Sequence, residues 1–324
     1  MPAASIGIVT WNSARDLPGC LRAVRRLDGV ETELLVADNA SSDTTRDILE
    51  QATTPGERVW LADNEGFARA HNRLIARSRG AYYLALNPDV VLDRAYLARL
   101  IDALDRDPGA GSATGKLVRM DTPGVLDSTG IVMLPTQRHL DRGAGERDEG
   151  QYDRMEPVFG ASAAAALYRR RMLEDTRVGD EYFDEDFFAY REDADLAWRA
   201  QLLGWRCLYV PEATAAHRRR VIPERRRELS AEVNRYSVRN RFLLRLKNQT
   251  AAQAVRFALP TIWRDAQVLG YVLLRERSSL AALADVVRLM PRTLAKRRSI
   301  MRRRRTSGAE LDRWFVTPPG RGAA

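Results

Sequence analysis

Strand-like and helix-like patterns alternate along residues 5–86, and this alternation restricts the fold of the chain more than any other feature of its sequence. Short β-branched runs are each followed by an amphipathic helical stretch, an order typical of a parallel sheet with helices on both faces. Ligands of such sheets bind beyond the carboxyl ends of the strands. The predicted strands are 5–10, 33–37, 59–61 and 82–86, and the predicted helices are 17–27, 42–51 and 66–79.

Polar residues follow all four predicted strands at the edge where a ligand would bind. Taken singly, Asn and Asp at such positions commonly cap helices or form turns. Their coincidence at one edge instead indicates a binding rim, where the carboxylate of Asp89 suits Mg²⁺ or Mn²⁺ on a diphosphate. The residues in question are Asn12, Asp38, Asn39, Asn64 and the run Asn87-Pro88-Asp89.

A second group of candidate residues lies in the segment 183–206, which places carboxylates among aromatic residues and then continues as an amphipathic helix. Carboxylates beside apolar surface are unfavourable unless they hold a cation or transfer protons. Glu192 and Asp193 stand where the helix begins, and the helix dipole favours negative charge there. The pair is therefore predicted to supply a general base.

The remaining sequence is less regular. Gly, Pro, Asp and Arg are scattered over 107–153, which predicts a long loop over the cleft with a hairpin near 130–133. A buried strand is expected at 158–168, and arginine-rich helices are expected at about 223–247 and 250–305. These patterns predict a first domain of residues 1–220 and a basic helical C-terminal extension of residues 221–324.

The charge distribution points to an anionic partner. The net charge is +9, and the excess is concentrated in the arginine runs at 218–220, 225–227 and 302–305. Nucleic acid, an anionic membrane surface or a phosphorylated substrate would each fit this excess. A nucleic-acid-binding protein should lack an acidic cleft, so the acidic segment 180–195 argues against it. For the C-terminal helices, a bundle that closes the domain is the alternative to a membrane-bound surface.

Three absences narrow the possible classes of protein further. The only cysteines, Cys20 and Cys207, form no close pair, which predicts a reduced, cytosolic protein without a disulfide framework. No apolar run approaches the roughly 18 residues needed to cross a bilayer, so contact with a membrane would be peripheral. Nucleotidyl transfer on a similar sheet would require a Gly-rich phosphate loop near the N-terminus, and VTWNSARDLPG contains none.

Six motifs occur in a specific order: VTWNS, VADNASSD, NEGFARAHN, LNPD, FGASAAAALYRRRML and FFAYREDADLAWRAQLLGW, followed by a histidine. In this order the chain resembles the inverting family 2 glycosyltransferases of the GT-A fold, in the branch with rhamnosyltransferase-like and galactofuranosyltransferase-like members. The resemblance covers about residues 5–217. It implies an α/β fold with a Rossmann-like, mostly parallel sheet, and a hexosyltransferase activity that uses a nucleotide-sugar donor.

The resemblance also implies roles for individual residues. Asp193 would deprotonate the acceptor with Glu192 alongside, and Asp89 would hold a divalent cation, which His217 joins in some relatives. Asn87 replaces the first acidic residue of the Asp-x-Asp motif, which leaves the metal fewer charged ligands. His217 could instead be a solvated histidine, and Trp205 could belong to the core. The donor nucleotide would contact Thr10, Asn12, Asp38, Asn39, Asn64, Gly66, Asn72 and Asn87, and the acceptor or sugar would contact Gly160 and Trp205.

The resemblance further implies a donor, an acceptor and a location. Rhamnose from dTDP-rhamnose is the first expectation for the donor, and a UDP-hexose is the second. The acceptor would be a cell-envelope glycan or a polyprenyl-diphosphate-linked glycan. The protein would then be cytoplasmic, with peripheral contact to anionic lipid at the inner face of the cell membrane.

Overall fold

The computed structural model describes residues 2–219 and 230–316. A ten-stranded sheet forms its centre. On one side of this sheet four parallel strands lie in the order β4-β1-β2-β3, as the alternating pattern predicts. In chain order, the elements of residues 4–106 are β1 (Ala4–Thr10), α1 (Leu17–Val24), β2 (Thr32–Asp38), α2 (Thr45–Ala52), β3 (Arg58–Trp60), α3 (Gly66–Arg77), β4 (Tyr82–Leu86), β5 (Val90–Leu92) and α4 (Tyr96–Arg106).

The other side of the sheet is mixed. One strand, β11, runs antiparallel between β4 and β6, and β12 then continues the sheet parallel to β6. The elements are β6 (Ala110–Arg119), β7 (Leu126–Ser128), β8 (Ile131–Met133), β9 (His139–Asp141), β10 (Glu156–Val158), β11 (Ala165–Arg169), α5 (Arg170–Thr176), α6 (Glu192–Leu202) and β12 (Arg206–His217).

Residues 107–153 differ from the sequence prediction of a long loop. The strand β6 occupies Ala110–Arg119 of this segment and lies inside the sheet, between β11 and β12. Its small residues hide the strand pattern, but the packing requires them, because a Cβ on Gly115 would collide with the backbone of Ala213. The hairpin predicted near 130–133 is present as β8 and β9. The strand predicted at 158–168 is divided between β10 and β11.

Helices cover both faces of the sheet, as predicted. On one face, Ile6 and Ile8 of β1 pack in a core that includes Leu17 of α1 and Leu97 of α4. A second core on the other face is built from α3, α5 and α6. Because strand residues alternate between faces, each buried strand contributes to both cores.

The C-terminal helices pack against α6. Trp198 of α6 is fully buried in an apolar cluster with Leu243, Leu244, Ile300 and Phe315. The arginine-rich stretches thus form helices, as predicted, although 220–229, with the expected domain boundary and the 225–227 arginines, lies outside the described residues. The division of the chain into two domains at residue 220 stays a prediction. Residues before and after this boundary share the apolar cluster around Trp198. The helices are α7 (Ala231–Asn248), α8 (Ala251–Arg256), α9 (Ala258–Arg275), α10 (Ala281–Arg302) and α11 (Gly308–Asp312).

Candidate active site

The polar residues that follow β1 to β4 meet at one edge of the sheet, which we call the rim. Asp38, the last residue of β2, is fully buried and accepts several hydrogen bonds. Its carboxylate takes them from Thr10 Oγ1 at 3.0 Å, from the Ser41 backbone N–H at 3.1 Å and from Arg46 Nε at 2.8 Å. The charge of Asp38 is therefore paired, and its position is fixed by the loops on either side.

Two asparagines of the rim connect its loops. Asn12 has a left-handed backbone (φ 49°), and its Oδ1 accepts a hydrogen bond from the Ser42 backbone N–H at 2.8 Å. Asn39 donates from Nδ2 to the carbonyl of Gly66 at 3.1 Å and accepts from the Glu65 N–H at 2.8 Å. The loops after β1, β2 and β3 are thus held together by side-chain amides rather than by sheet hydrogen bonds.

The start of α3 forms the floor beneath these loops. Asn64 Oδ1 accepts from the Gly66 N–H at 3.0 Å, an Asx turn of the kind that the sequence leaves open as an alternative. Gly66 has φ +82°, and a Cβ there would lie 2.6 Å from the carbonyl oxygen of Phe188. Asn72 both donates to and accepts from the Phe183 backbone at 2.8 Å. Its amide thereby ties α3 to the acidic segment, so Asn72 shapes the floor from below.

A carboxylate and an imidazole adjoin at the end of the rim. Asp89 Oδ1 lies 3.4 Å from His217 Nε2, is buried and has no hydrogen-bond partner in the structure. On its other side, His217 Nδ1 lies 2.7 Å from Oδ2 of Asp127. Burial would lower the pKa of His217, but Asp127 and Asp89 outweigh it and raise the pKa to about 9. His217 is therefore a buried, paired group and not a solvated histidine.

The chemistry of this pair fits a hard divalent cation. The Asp89 carboxylate and the adjacent Nε2 of His217, once that nitrogen has lost its proton, supply two donor atoms of the kind that Mn²⁺ and Mg²⁺ accept. In the described part of the chain, no group of three or more His, Cys, Asp or Glu side chains is arranged to hold a metal alone. A cation at Asp89 and His217 would therefore need further oxygen ligands from a bound molecule or from water.

Asp193 stands on the first turn of α6, as predicted, and has the properties of a base. Its Oδ2 accepts a hydrogen bond from the Ala163 N–H at 3.3 Å. Burial and the negative charge of Asp141 raise its pKa to about 6. Glu192 is more deeply buried, with Oε2 unpaired, and burial and the charge of Asp193 raise its pKa well above the ordinary range. Glu192 therefore holds its proton more tightly, and Asp193 is the carboxylate of the pair that ionises near neutral pH.

One short segment connects this carboxylate with the rim. The backbone N–H of Asn87, at the end of β4, donates to the carbonyl of Ala164 at 2.9 Å. The neighbouring residue, Ala163, donates to Asp193. The strand end that carries Asp89 and the base on α6 thus lie on two sides of residues 163–164.

Three charged residues at the site were not predicted. Arg219 pairs with Asp141 and donates to Asp127 Oδ1 at 3.3 Å. Asp127 thereby bonds both His217 and Arg219, while the charges of Asp141 and Arg219 act in opposite directions on the pKa of Asp193. The sequence signal was the arginine run at 218–220, which we interpreted only as part of a basic surface. Asp127 and Asp141 lie in the segment that was expected to be a loop.

An unusual turn precedes α6. Within 188–191, three residues that are not glycine have left-handed φ values of 64°, 69° and 74°: Phe188, Tyr190 and Arg191. Such conformations are unfavourable for side-chain-bearing residues and persist where the surroundings enforce them. Asn240 of α7 is fully buried, and its Nδ2 donates at 2.8–2.9 Å to three backbone carbonyls within 187–190. A helix that lies about fifty residues further along the chain thus holds the turn before Asp193.

Most of the acidic segment is neutralised by the C-terminal helices. Asp184 pairs with Lys247 of α7 and with Lys296 of α10, which lies 2.5 Å from it. Asp195 pairs with Lys247 at 2.7 Å and with Arg199 at 2.9 Å. These carboxylates thus hold side-chain cations, whereas Glu192 and Asp193 form no ion pair among the described residues. The sequence could not show this division, because the lysines lie far along the chain.

The two residues predicted to face the acceptor have different surroundings. Gly160 lies against α6, where a Cβ would collide with Ala197, so its lack of a side chain permits close packing. Trp205 is 9% exposed and packs in a core cluster, and its Nε1 donates to Asp175 at 2.7 Å. The acceptor-side prediction for Trp205 is corrected by this position, since the buried indole cannot stack on a sugar.

Comparisons with known protein families and sequences agree with the family that the sequence resembles. The model of Glycosyl transferase family 2 matches residues 5–177. An N-acetylglucosaminyl-diphospho-decaprenol L-rhamnosyltransferase of Mycobacterium tuberculosis is 29% identical over 231 residues, which are 64% of this chain and 74% of that protein.

Solved structures resemble the fold at lower sequence identity. TarS 1–349 of S. aureus, in complex with UDP-GlcNAc, has a TM-score of 0.59 at 19% identity, over 92% of this chain and 88% of that one. The mannosyltransferase PcManGT of Pyrobaculum calidifontis, in complex with GDP-Man and Mn²⁺, has a TM-score of 0.52 at 18% identity, over 93% and 84%. The predicted fold class is thereby confirmed.

Proposed function

The chain belongs to glycosyltransferase family 2, and from this premise we propose that it transfers L-rhamnose from dTDP-rhamnose, with inversion, to a cell-envelope glycan or a polyprenyl-diphosphate-linked acceptor. The observation that carries the proposal is the junction at residues 163–164. There the strand end before Asp89 and the carboxylate of Asp193 bond to adjacent residues. A donor on the rim would therefore present its sugar towards Asp193.

The rim supports the binding of a nucleotide diphosphate. Asp38 and Thr10 form the end of the first two strands, where a base would bind, and Asn12 and Asn39 shape the loops around it. These polar groups lie at the carboxyl ends of parallel strands, the usual ligand edge of such a sheet. Asn64, Gly66 and Asn87 complete the proposed donor side.

Asp89 and His217 would hold a divalent cation, Mg²⁺ or Mn²⁺, on the donor diphosphate. The burial of Asp89 Oδ1 and its separation of 3.4 Å from His217 Nε2 support this assignment. When bound, the cation would neutralise the charge that develops on the leaving diphosphate. Asn87 at the first motif position contributes no charge, so the pair would bind the metal mainly together with the donor.

Asp193 would accept the proton of the attacking hydroxyl. A pKa of about 6 leaves it ionised near neutral pH and still basic enough to take a proton in the transition state. The Ala163 N–H holds one carboxylate oxygen, and beside it lies Glu192, whose pKa burial raises well above its ordinary range. Attack on the face opposite the leaving group gives a product of inverted anomeric configuration.

The choice of rhamnose follows the Mycobacterium tuberculosis relative, whose name specifies L-rhamnose transfer to N-acetylglucosaminyl-diphospho-decaprenol. A UDP-hexose is the second candidate donor, since TarS binds UDP-GlcNAc on a similar fold. An acceptor on a lipid diphosphate would place the enzyme in the cytoplasm at the inner face of the cell membrane, in peripheral contact with anionic lipid.

The proposal is tested by offering the full chain dTDP-rhamnose, UDP-glucose and UDP-GlcNAc in parallel, each with a short-chain N-acetylglucosaminyl-diphosphoprenol and Mn²⁺ or Mg²⁺. We expect a mass increase of one deoxyhexose with dTDP-rhamnose only, and NMR of the product should show the inverted anomer. Hexose addition from a UDP-sugar would replace the donor assignment. Retention of configuration would contradict the single-displacement mechanism.

A further inference from the structure

The surface of α8 and α9 exposes an unusually large number of apolar side chains. Val255 is 80% exposed, Leu259 82% and Leu274 79%, and Trp263 is 68% exposed. Members of the group are three, four or eleven residues apart, close to whole helical turns, so they form one stripe. We call this stripe the α9 face; its residues are Val255, Leu259, Ile262, Trp263, Leu273 and Leu274.

The opposite side of α9 is fixed to the protein. Thr261 and Val272 are buried, and Asp265 pairs with Arg245 at 2.5 Å and with Arg241 at 3.2 Å, both on α7. Because these anchors lie on the other side of the helix, the α9 face is turned outward by the fold itself. Its exposure is therefore a stable property of this surface. Monomeric proteins seldom expose a continuous apolar stripe without a partner.

Charge selects the partner. Arg256, Arg264, Arg275 and Arg277 lie along the same stretch, whose two acidic residues are Asp265, directed inward, and Glu276. An apolar stripe with a basic border matches the headgroups and acyl boundary of an anionic bilayer. A second copy of the chain would bring the same positive borders together, and like charges across an interface oppose association.

We propose that α8 and α9 lie flat on an anionic lipid bilayer, with the α9 face inserted at the boundary between headgroups and acyl chains. The inference deepens the proposed function and rests on it, because a lipid-linked acceptor requires the enzyme to work at a membrane. No helix among residues 2–219 and 230–316 combines the length and the apolar character that a transmembrane span requires. An orientation in the plane of the bilayer agrees with the inward position of Asp265.

The geometry also connects the membrane surface with the site. The helix α7 binds α9 through Arg241 and Arg245 and, one residue before Arg241, holds the turn before Asp193 through Asn240. The same helix thus lies between the α9 face and the base. An enzyme docked on this face would have its catalytic turn one helix away from the lipid surface.

The test is sedimentation of the full chain with vesicles of phosphatidylcholine alone or with phosphatidylglycerol. The double variant Leu259→Gln/Leu274→Gln keeps the charge and a good helix propensity, and we expect at least a tenfold loss of partition into anionic vesicles. Met155→Gln is the matched control, since Met155 is an exposed apolar residue away from this face, and its partition should equal that of the wild type. Salt should weaken the binding, because it screens the arginine border.

A second measurement needs no destabilising change. Lipids brominated near the headgroup end of the acyl chain should quench part of the tryptophan emission of the wild type, and this part should be missing in Trp263→Phe. The proposal would be overturned if the double variant sedimented with vesicles as the wild type does. It would also be overturned if brominated lipid quenched the wild type and Trp263→Phe equally. A concentration-dependent dimer that the double variant abolishes would overturn it in favour of self-association.

Thermal stabilisation by dTDP keeps the two proposals separate. The double variant should be stabilised as the wild type is, because the rim lies far from α9 in the chain and shares no contact with these residues among the described ones. Vesicle binding that depends on the α9 face, in a protein that transfers no sugar, would support the surface and contradict the proposed function. Sugar transfer to a soluble acceptor without vesicle binding would support the proposed function and contradict the membrane surface.

Discussion

The rim and the turn before α6 are built in different ways. At the rim, side chains at the ends of the strands bond the neighbouring loops: Asn12 accepts a hydrogen bond from Ser42, and Asp38 accepts one from Ser41. At the turn 188–191, the support is Asn240, which lies on a helix beyond the sheet. In the structure, the C-terminal helices therefore support the turn that precedes Asp193. A change in α7 should therefore damage turnover, whereas a change in the rim should damage donor binding.

Energetics reinforce this contrast. Each left-handed residue in 188–191 stores about 1–3 kcal/mol of backbone strain, and the three hydrogen bonds from Asn240 hold the turn against it. The buried pairs of Asp184 with Lys247 and Lys296 attach the same segment to α7 and α10. Loss of one partner of a buried pair leaves a charge uncompensated, at about 3–5 kcal/mol. Removal of the C-terminal helices should consequently unfold the acidic segment.

The largest expected effect is on the base. Asp193→Asn keeps the size of the side chain but removes the proton acceptor, so transfer should fall by roughly 10²–10⁴-fold. Stabilisation by dTDP-rhamnose, measured as a thermal shift, should stay within the error of the wild type. Glu192→Gln is the control, because burial raises the pKa of Glu192 and disfavours its ionised form, so the loss of transfer should be much smaller. Turnover of Asp193→Asn within about tenfold of the wild type would remove the assignment and make Glu192 the next candidate.

Asp89→Ala probes the other region. Loss of this carboxylate should weaken donor binding and abolish its dependence on divalent cation, with a fall in transfer of about a hundredfold. Isothermal titration with dTDP-rhamnose, with Mn²⁺ and with chelator, measures both effects. Asn87→Ala is the control and should retain the metal dependence. If the wild type binds the donor equally well with metal and with chelator, no metal acts at this site.

Asn240→Ala tests whether α7 supports the base. Without the amide, the carbonyls of Ala189 and Tyr190 lose their donor, while that of Phe187 keeps a hydrogen bond from Arg239, and the turn can relax away from Asp193. We expect kcat to fall about tenfold or more, with KM for the donor unchanged. Asn248→Ala is the matched control, because Asn248 is also a fully buried asparagine of α7 but bonds Asp195 instead of the turn. Both variants should lose stability. If Asn240→Ala and Asn248→Ala have equal kcat values, Asn240 has only a structural role.

This contrast also explains how much the sequence could predict. The strands β1 to β4 and the rim residues are local patterns, so alternation and strand-end polar residues were sufficient to find them. The strand β6 escaped because its packing demands small residues, and β12 follows α6 without a distinct signal. Asn240, Lys247 and Lys296 could not be assigned, since their roles arise only when α7 and α10 fold back on the acidic segment. The position of Asp193 on the first turn of α6 could be predicted, because the start of an amphipathic helix is itself a local pattern.

The smallest expected effects concern pH. The pH dependence of kcat should report on Asp193, and the pH dependence of metal binding should report on the rim. The pKa of Asp193 is about 6, so kcat should be constant above pH 7 and fall about tenfold per unit well below pH 6, as the base becomes protonated. A profile of kcat at saturating donor and Mn²⁺ measures this limb. It should shift to lower pH in Asp141→Asn, because the charge of Asp141 raises the pKa of Asp193. A kcat that is flat down to pH 5 would exclude Asp193 as the titrating group.

At the rim the proton acts on metal binding instead. His217 has a pKa of about 9 beside Asp127 and Asp89, so near neutral pH its Nε2 carries a proton that a cation must displace. The apparent Mn²⁺ affinity in the presence of dTDP should rise up to tenfold per pH unit between about 7 and 9 and then level off. In Asp127→Asn the pKa of His217 should fall, and the rise should end at lower pH. An Mn²⁺ affinity that does not change between pH 7 and 9 would show that His217 is no ligand and that it only holds Asp89 in place.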